Sequence, residues 1–368
     1  MEGWEYGHRP YRLIPVVHPK LVETDDEPCL SEATANTGGG NEVLTRQTET
    51  RKGRRSSATI VVAIVVGALL IPGTAQARRL APRHGVLFGA HVSPRWGLYQ
   101  GPSVRKYEDM IGRKFDIVNR YHAFSYRDMT TEKSMASEGR IPMISWKALD
   151  GFSPNSNRAR EIAAGNADEG IRKFARAVKR VRRPVFIRMW WEFTQAPGRI
   201  QFIGEPREFK RAWRHVVGIF RHMGVHNAKF VWDPQAAAFC NGRAQSFYPG
   251  NRWVDWIGGS AVPVDNFRSF RQLFECFYKF GKHHPKPLMA WSSVIEKPGD
   301  PYWKAGWMRG VKRTIQHRWP RLKAFVYMHS DYTHTNYWAD TTRQSMDRYI
   351  DIGCSNYFNP NDRRTTRC

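Results

Sequence analysis

One glutamate is set apart from the other acids of this sequence by the residues that precede it. Glu192 follows an apolar run at 184–191 that ends in Trp190 and Trp191. A carboxyl among aromatic rings loses hydration, which raises its pKa and lets it donate a proton near neutral pH. The other interpretation of a glutamate in this position is an ion pair with Arg188. We expect Glu192 to be a proton donor, with Arg188 and Trp191 shaping its surroundings.

A proton donor needs partners, and several side chains at predicted strand ends can supply them. Two carboxylates support hydrolysis of a glycosidic bond with retention of configuration at about 5–5.5 Å, or with inversion at about 6.5–9.5 Å. The candidates for the second carboxylate are Asp233, Asp331 and Glu296. The candidates for stacking on sugar rings or binding their hydroxyls are Tyr121, His122, Trp146, Trp190, Trp232 and Tyr248. Because alternate strand residues point to opposite faces, only some of them can share one cleft, and we expect Trp190 to face outward.

Eight short apolar runs must position these side chains. They lie at residues 86–91, 115–118, 141–146, 184–191, 229–233, 254–258, 287–291 and 324–328. Amphipathic stretches with helical spacing separate most of them, at residues 158–165, 168–180, 208–223, 267–280 and 302–317. Eight buried strands joined by crossover helices predict an α/β fold, a single (β/α)₈ TIM barrel over residues 86–368. Because such barrels carry their chemistry at the carboxyl ends of the strands, we expect the site there.

The residues before this barrel are predicted to form separate segments. Residues 1–57 mix acids, Thr, Gly and Pro without periodicity, which predicts a disordered N-terminal extension. Residues 58–71 are almost wholly apolar, follow a basic cluster and precede Ala75-Gln76-Ala77. This pattern over residues 58–77 predicts a signal peptide, or a membrane anchor if it is not cleaved, with residues 78–85 as a linker. Either way, we expect the barrel to be extracellular or at the cell surface.

The charge and the cysteines agree with export. Residues 78–368 carry 50 Lys and Arg against 24 Asp and Glu, which favours polyanions as partners. For an exported protein these partners are anionic cell-wall polymers, anionic lipid or acidic glycans rather than nucleic acid. The alternative is that the charge only reflects the general amino-acid composition of the host's proteins. The four cysteines of this part predict two disulfides, and we favour Cys240–Cys276 and Cys354–Cys368. Their spacing indicates no metal site.

The chain from about residue 86 to 340 resembles glycoside hydrolase family 26, whose best-known members are β-mannanases. The segments that carry the resemblance are FGAHVSP (88–94), RYHAFS (120–125), PMISW (142–146), PVFIRMWWEF (184–193), the block 209–234 ending in VWDP, FYPGNRWVDWIG (247–258), KPLMA (286–290) and WKAGW (303–307). The resemblance implies a (β/α)₈ barrel, no cofactor, and a retaining double displacement by two glutamates. It assigns the proton donor to the end of strand 4, which is Glu192 here.

The sequence departs from the family's pattern near both catalytic positions. Trp191 replaces the histidine that usually precedes the proton donor, and Thr194 and Gln195 replace an Asn-Gly pair shortly after it. The family's nucleophile at the end of strand 7 falls on Ser292. A hydroxyl cannot replace a carboxylate nucleophile without an activating base. The nearest acid that could substitute is Glu296.

Three functional hypotheses follow. In the first, the protein is a monomeric, exported glycoside hydrolase that cleaves a β-linked polysaccharide, mannan-like or another cell-wall glycan, with Glu192 as general acid/base. In the second, the same cleft binds glycan without turnover, because the nucleophile position is Ser292. In the third, it is a cell-envelope protein whose basic surface matters more than its cleft. In all three, membrane contact through the apolar segment is limited to residues 58–71 if they are not cleaved.

Overall fold

A computed structural model describes residues 80–147, 157–195, 203–263, 266–331, 335–365 and 368. Eight parallel strands form one closed barrel, in which each strand pairs with the next and the last pairs with the first. The strands are β1 (Leu87–Val92), β2 (Ile117–His122), β3 (Ile141–Trp146), β4 (Val185–Met189), β5 (Ala228–Trp232), β6 (Trp256–Ala261), β7 (Leu288–Ser292) and β8 (Leu322–His329). The predicted (β/α)₈ barrel is therefore confirmed.

The described α-helices connect the strands and pack around the barrel. They are α1 (Gln100–Ile111), α2 (Thr130–Ser137), α3 (Arg158–Ala163), α4 (Asp168–Lys179), α5 (Pro206–His222), α6 (Arg243–Ser246), α7 (Phe270–Gly281), α8 (Trp303–Arg318) and α9 (Arg343–Cys354). Helix α7 begins at a capping box in which Ser269 and Gln272 satisfy each other's backbone N–H groups. Helix α5 buries one apolar face, including Phe209 and Trp213, as its periodicity predicted.

The inside of the barrel changes from apolar to polar along its axis. One set of inward side chains forms a closed apolar cluster: Leu87, Ile117, Met143, Phe186, Val231, Trp256, Met289 and Ala324. Nearer the carboxyl ends, six of the strands or the residues directly after them contribute buried polar side chains to the inside: His91, Asn119, Ser145, Arg188, Asp233 and Ser260. The other two strands contribute apolar side chains there, including Trp291 of β7. The apolar cluster fills the barrel as a core rather than a pore. The polar layer above it lies at the end where the chemistry of this fold is placed.

Two disulfides link parts of the chain outside the strands. Cys240 is bonded to Cys276 of α7, and Cys354 of α9 is bonded to Cys368. Both pairings that the sequence favoured are therefore confirmed. Among the described residues, no helix is long and apolar enough to cross a membrane. The predictions for residues 1–57 and 58–77 lie outside the described residues.

Candidate active site

Glu192 lies in a tight turn that directly follows β4. Both Trp190 and Glu192 have left-handed backbone conformations, with φ of 53° and 57°. Such angles are uncommon for residues with a side chain, and they persist where the surrounding structure imposes them, often at functional sites. The turn is held on both sides, because the Trp190 N–H donates to the Trp146 carbonyl at 3.0 Å and the Glu192 N–H donates to the Asp233 carbonyl at 2.8 Å. Its backbone therefore fixes the acid at the carboxyl end of the barrel.

The surroundings of Glu192 favour its protonated form. Burial raises the pKa of this carboxyl to about 7, the nearby charge of Arg188 opposes the rise, and the charge of Asp233 reinforces it. A group that is half protonated near neutral pH is well suited to general acid catalysis, because it both holds a proton and releases it readily. The predicted elevation of the pKa by desolvation therefore has a structural basis in this turn.

A buried ion pair lies beneath the turn. The Arg188 side chain is fully buried, and its Nε donates to the Asp233 carboxylate. Ser260 donates to the same carboxylate oxygen at 2.6 Å, and Arg188 also donates to the hydroxyls of Ser260 at 2.5 Å and of Ser145 at 3.2 Å. Ser145 in turn donates to Asn119 at 2.7 Å. Arg188 is thus paired with Asp233. The alternative interpretation, in which Arg188 forms an ion pair with Glu192, is not what the structure shows.

Aromatic side chains surround this polar layer. Trp191 packs edge to face against Tyr121 with ring centroids 5.0 Å apart, and Tyr121 packs in the same way on His91 at 4.9 Å. The Arg188 guanidinium lies 4.5 Å from the ring centroid of Trp291 and 5.8 Å from that of Trp191. Tyr121 remains 39% exposed, so it is accessible to a ligand. Tyr121, Arg188 and Trp191 therefore lie together as predicted, with Trp291 and His91 as additional members.

Two of the predicted sugar contacts, on β2 and β3, point away from the barrel interior. His122 is buried, and its Nε2 lies 3.0 Å from Glu132 of α2. Trp146 is fully buried and stacks on Phe174 of α4, with ring centroids 4.1 Å apart. Both lie at outward positions of their strands, so they belong to the packing between barrel and helices. The expectation that they contact sugar is therefore corrected.

The same correction applies to the two aromatic candidates on and after β5. Trp232 is fully buried between the barrel and the outer layer, with Tyr248 edge to face against it at 4.9 Å. The Tyr248 hydroxyl donates to Asn251 at 2.7 Å, on the segment that leads into β6. That segment leads into the amino end of β6, so Tyr248 lies towards the end of the barrel opposite the one that carries Glu192. Trp190 also faces outward, as expected, and packs against Trp213 of α5 at 6.1 Å.

The candidates for the second carboxylate differ in accessibility. Asp233 is 1% exposed and holds Arg188. Glu296 accepts a hydrogen bond from Thr341 and lies 3.5 Å from the buried Lys304 ammonium. Asp331 is exposed and follows β8 after one residue. Of the three acids, Asp331 alone is both exposed and at a strand end that opens towards solvent.

The family nucleophile position carries no reactive group. Ser292 is fully buried, and its hydroxyl donates to the Ala261 carbonyl of the neighbouring strand. The inward residue at the end of β7 is Trp291, which covers Arg188. Trp291 ends the apolar run at residues 287–291, two residues after the inward Met289, and this alternation is the sequence signal that it faces inward. Within the part of the chain that the structure describes, no group of His, Cys, Asp and Glu is arranged to hold a metal ion.

Comparison with known proteins bears on the fold. No protein-family model matches this sequence. The catalytic domain of an endo-β-1,4-mannanase of family 26 from Bacillus sp. JAMB-750 superimposes with a TM-score of 0.61 at 14% identity, over 77% of this chain and 89% of that one. A family 26 β-mannanase from Bacteroides ovatus superimposes with a TM-score of 0.56 at 17% identity, over 77% of this chain and 91% of that one. The barrel has the fold of glycoside hydrolase family 26.

A sequence relative points in the same direction as this family 26 fold. Endoglucanase H from Acetivibrio thermocellus is 24% identical over 274 residues, which is 69% of this chain and 29% of that protein. This chain therefore corresponds to less than a third of the length of that curated relative. The resemblance inferred from the sequence is confirmed for the fold, and the assignment of catalytic residues depends on the geometry above.

Proposed function

We propose that this protein, on a barrel like that of glycoside hydrolase family 26, hydrolyses a β-linked polysaccharide with Glu192 as the proton donor. The observation that carries the proposal is the position of Glu192 in a left-handed turn after β4, beside Trp191 and above the Arg188–Asp233 pair. The similar structures are described as mannanases and the sequence relative as an endoglucanase, which supports a β-linked, mannan-like or glucan-like substrate.

Breaking the glycosidic bond needs a proton donor. Glu192 gives its proton to the glycosidic oxygen as the bond to the anomeric carbon breaks, and the leaving sugar departs with a hydroxyl. Arg188 keeps its charge at all working pH values, so it stabilises the carboxylate that Glu192 leaves behind. Asp233 holds Arg188 in place and is too buried to contact the sugar itself.

The same displacement needs a second carboxylate, and its role as a base or as a nucleophile decides the stereochemistry. Asp331 is the accessible candidate, since Asp233 and Glu296 are held in ion pairs. In this scheme Asp331 takes a proton from water, whose oxygen bonds to the anomeric carbon on the face opposite the leaving group. The product then has inverted configuration, in contrast to the retaining outcome that the family resemblance implies. NMR of the first product anomer distinguishes the two outcomes.

The second candidate function is glycan binding without turnover. The observation that favours it is the buried Ser292 at the family nucleophile position, together with the engagement of Glu296 by Thr341 and Lys304. In that case Tyr121 and Trp191 contribute a binding surface, and Glu192 donates a hydrogen bond to the ligand rather than a proton to a leaving group.

A substrate screen separates the two candidates. The full chain is incubated with β-mannan, glucomannan and mixed-linkage β-glucan, and both reducing-end release and pull-down on the insoluble polymers are scored. Release of reducing ends from at least one polymer supports hydrolysis. Retention on a polymer without release supports the binding function, and neither retention nor release on all three contradicts the proposed substrate class.

The pH dependence of turnover is a separate prediction. Glu192 is active only while protonated, and its pKa is raised to about 7. We therefore expect kcat to be highest below this value and to fall as the pH rises through about 7. The measurement is kcat on the best polymer across the pH range. An alkaline limb that begins at an ordinary carboxyl pKa of about 4 would contradict the assignment.

The location of the protein is also proposed. We infer export, with the barrel outside the cytoplasm, from the apolar run at residues 58–71 and from the two disulfides of the described chain. Disulfides persist in oxidising compartments and are rare where thiols are kept reduced. Mass spectrometry of the natural protein, which reports its first residue, decides between a cleaved signal and a retained anchor.

A further inference from the structure

The end of the barrel opposite Glu192 carries a concentration of basic side chains. In a parallel barrel, the segments that lead from each helix into the next strand all lie at the amino-terminal end of the strands. We call this end the basal face. Its exposed Lys and Arg residues, drawn from six of the eight strand entries, are Arg83, Lys114, Arg180, Arg182, Arg183, Arg252, Lys282 and Arg318. Exposed histidines add to them: His84, His222, His226, His283 and His317.

Acids neutralise only part of this charge. Among the described residues of the helix-to-strand segments, Asp116 is buried and paired with Arg113 at 2.8 Å. Glu138 pairs with Arg140, and Asp255 accepts the Phe230 N–H at 2.9 Å. The segment that precedes β4 contains three exposed arginines and no acid at all. The basal face therefore presents net positive charge to solvent, and such a surface attracts anions.

The basal face is a preformed surface rather than a set of loose loops. Neighbouring segments are joined by hydrogen bonds, since Asn227 donates to the Arg183 carbonyl at 3.1 Å and Lys323 donates to the Arg83 carbonyl at 3.2 Å. Because the charges are distributed around the whole barrel end, they match an extended anionic surface better than one small anion. A surface that is already ordered also loses little conformational entropy on binding.

The course of the chain indicates which extended surface this is. Leu80 is the first described residue, and the chain enters the barrel from the basal side to begin β1 at Leu87. The apolar run ends at residue 71, so eight residues, 72–79, separate it from Leu80. Eight residues span at most about 28 Å when fully extended. The inference rests on the proposed retention of residues 58–71 as a membrane anchor, which would keep the membrane within this chain length of Leu80.

From these observations we propose that the basal face binds the surface of an anionic phospholipid membrane, with the active-site end directed away from it towards the polysaccharide. This orientation does not depend on whether the site hydrolyses its glycan or only binds it. Each Lys or Arg near an anionic leaflet strengthens binding by roughly fivefold, and salt weakens the attraction.

The test is co-sedimentation of the full chain with lipid vesicles. Vesicles of phosphatidylcholine alone are compared with vesicles of equal parts phosphatidylcholine and phosphatidylglycerol, at low and high salt. The basal variant combines Arg180→Gln, Arg182→Gln, Arg183→Gln and Lys282→Gln. The control variant removes four exposed charges from helices α2, α5 and α8 instead: Lys133→Gln, Arg207→Gln, Arg211→Gln and Arg309→Gln. The apolar run is the same in all chains, so the difference between the two vesicle types isolates the charge effect.

We expect the wild-type chain and the control variant to prefer the anionic vesicles, and the basal variant, which lacks four charges, to bind them about 600-fold more weakly. Turnover or binding of soluble glycan stays unchanged in the basal variant, which shows that it is folded. Equal loss in both variants, or equal binding to both vesicle types, would overturn the proposal. A third result would also overturn it. In that result the wild-type chain does not bind the vesicles but binds a soluble anionic polysaccharide, and the basal variant loses this polysaccharide binding.

Discussion

Replacing Glu192 by Gln is expected to lower kcat on the best polysaccharide by about 10²–10⁴-fold, which is the usual contribution of a positioned general acid. The amide keeps the size of the side chain but has no proton of suitable acidity to give. Since the change leaves Tyr121 and Trp191 in place, we expect the affinity for the polymer to remain near that of the wild type. The measurement is steady-state turnover, with binding followed by pull-down.

The matched control is Glu296→Gln, a second glutamate that follows a barrel strand. Its carboxyl contacts Thr341 and Lys304, so we expect turnover to stay close to the wild-type value although some stability is lost. If Glu296→Gln abolished turnover, Glu296 would be the displaced nucleophile and the present placement of the second carboxylate would be wrong. Glu192→Gln should fold normally. The raised pKa of Glu192 shows that burial of its charged form is unfavourable, and the neutral amide removes that cost.

The largest expected effect on stability belongs to Asp233→Asn. Asp233 and Arg188 are both buried and form an ion pair, so removal of the carboxylate charge leaves a guanidinium without its counter-charge. Breaking one side of such a pair costs about 3–5 kcal/mol of the free energy of unfolding. Urea denaturation with the disulfides intact measures this cost. The smaller change Ser260→Ala, which removes one hydrogen bond to the same carboxylate, should cost only about 1 kcal/mol.

Asp233→Asn also has a consequence that a purely structural role would not produce. The charge of Asp233 raises the pKa of Glu192, so its loss should lower that pKa. The alkaline limb of the pH profile should then move to lower pH, while in Ser260→Ala it should move much less. A destabilised Asp233→Asn variant with an unmoved limb would show that Asp233 supports the barrel without acting on the acid.

The apolar runs of the sequence predicted all eight strands, because strands that are covered on both faces are apolar along most of their length. The limits of the strands were predicted less well. Strand β2 was expected at residues 115–118 and lies at Ile117–His122. Its second half includes Asn119 and Arg120, polar residues that hydropathy excludes from a buried strand. Asn119 is tolerated because it accepts a hydrogen bond from Ser145 in the polar layer inside the barrel. Arg120 lies on the outward side and is tolerated because it donates to Gln100 and Glu132 of the surrounding helices.

The candidate site was predicted in part. Position after a strand and aromatic neighbours led to Glu192 as the candidate acid, and Trp191 and Arg188 do lie near it. These two features could not show that Trp146 and Trp232 face outward, because a strand buried on both sides has no hydrophobic alternation to indicate which side chains point inward. The sequence does contain one signal for the inward side of a strand, which is a small polar residue within an apolar run. Ser145 and Ser260 mark the inward side near the mouth, and the neighbours of each must face outward.

The most direct test of Glu192 as the proton donor compares leaving groups. Wild type and Glu192→Gln are assayed on two aryl β-mannosides or β-glucosides, one with a strongly activated leaving group that departs without protonation and one with a poor leaving group. A missing general acid should slow the poor leaving group by orders of magnitude and leave the activated one almost unchanged, since only the former needs a proton. Equal slowing of both substrates, or of neither, would contradict the assignment of Glu192 as the acid.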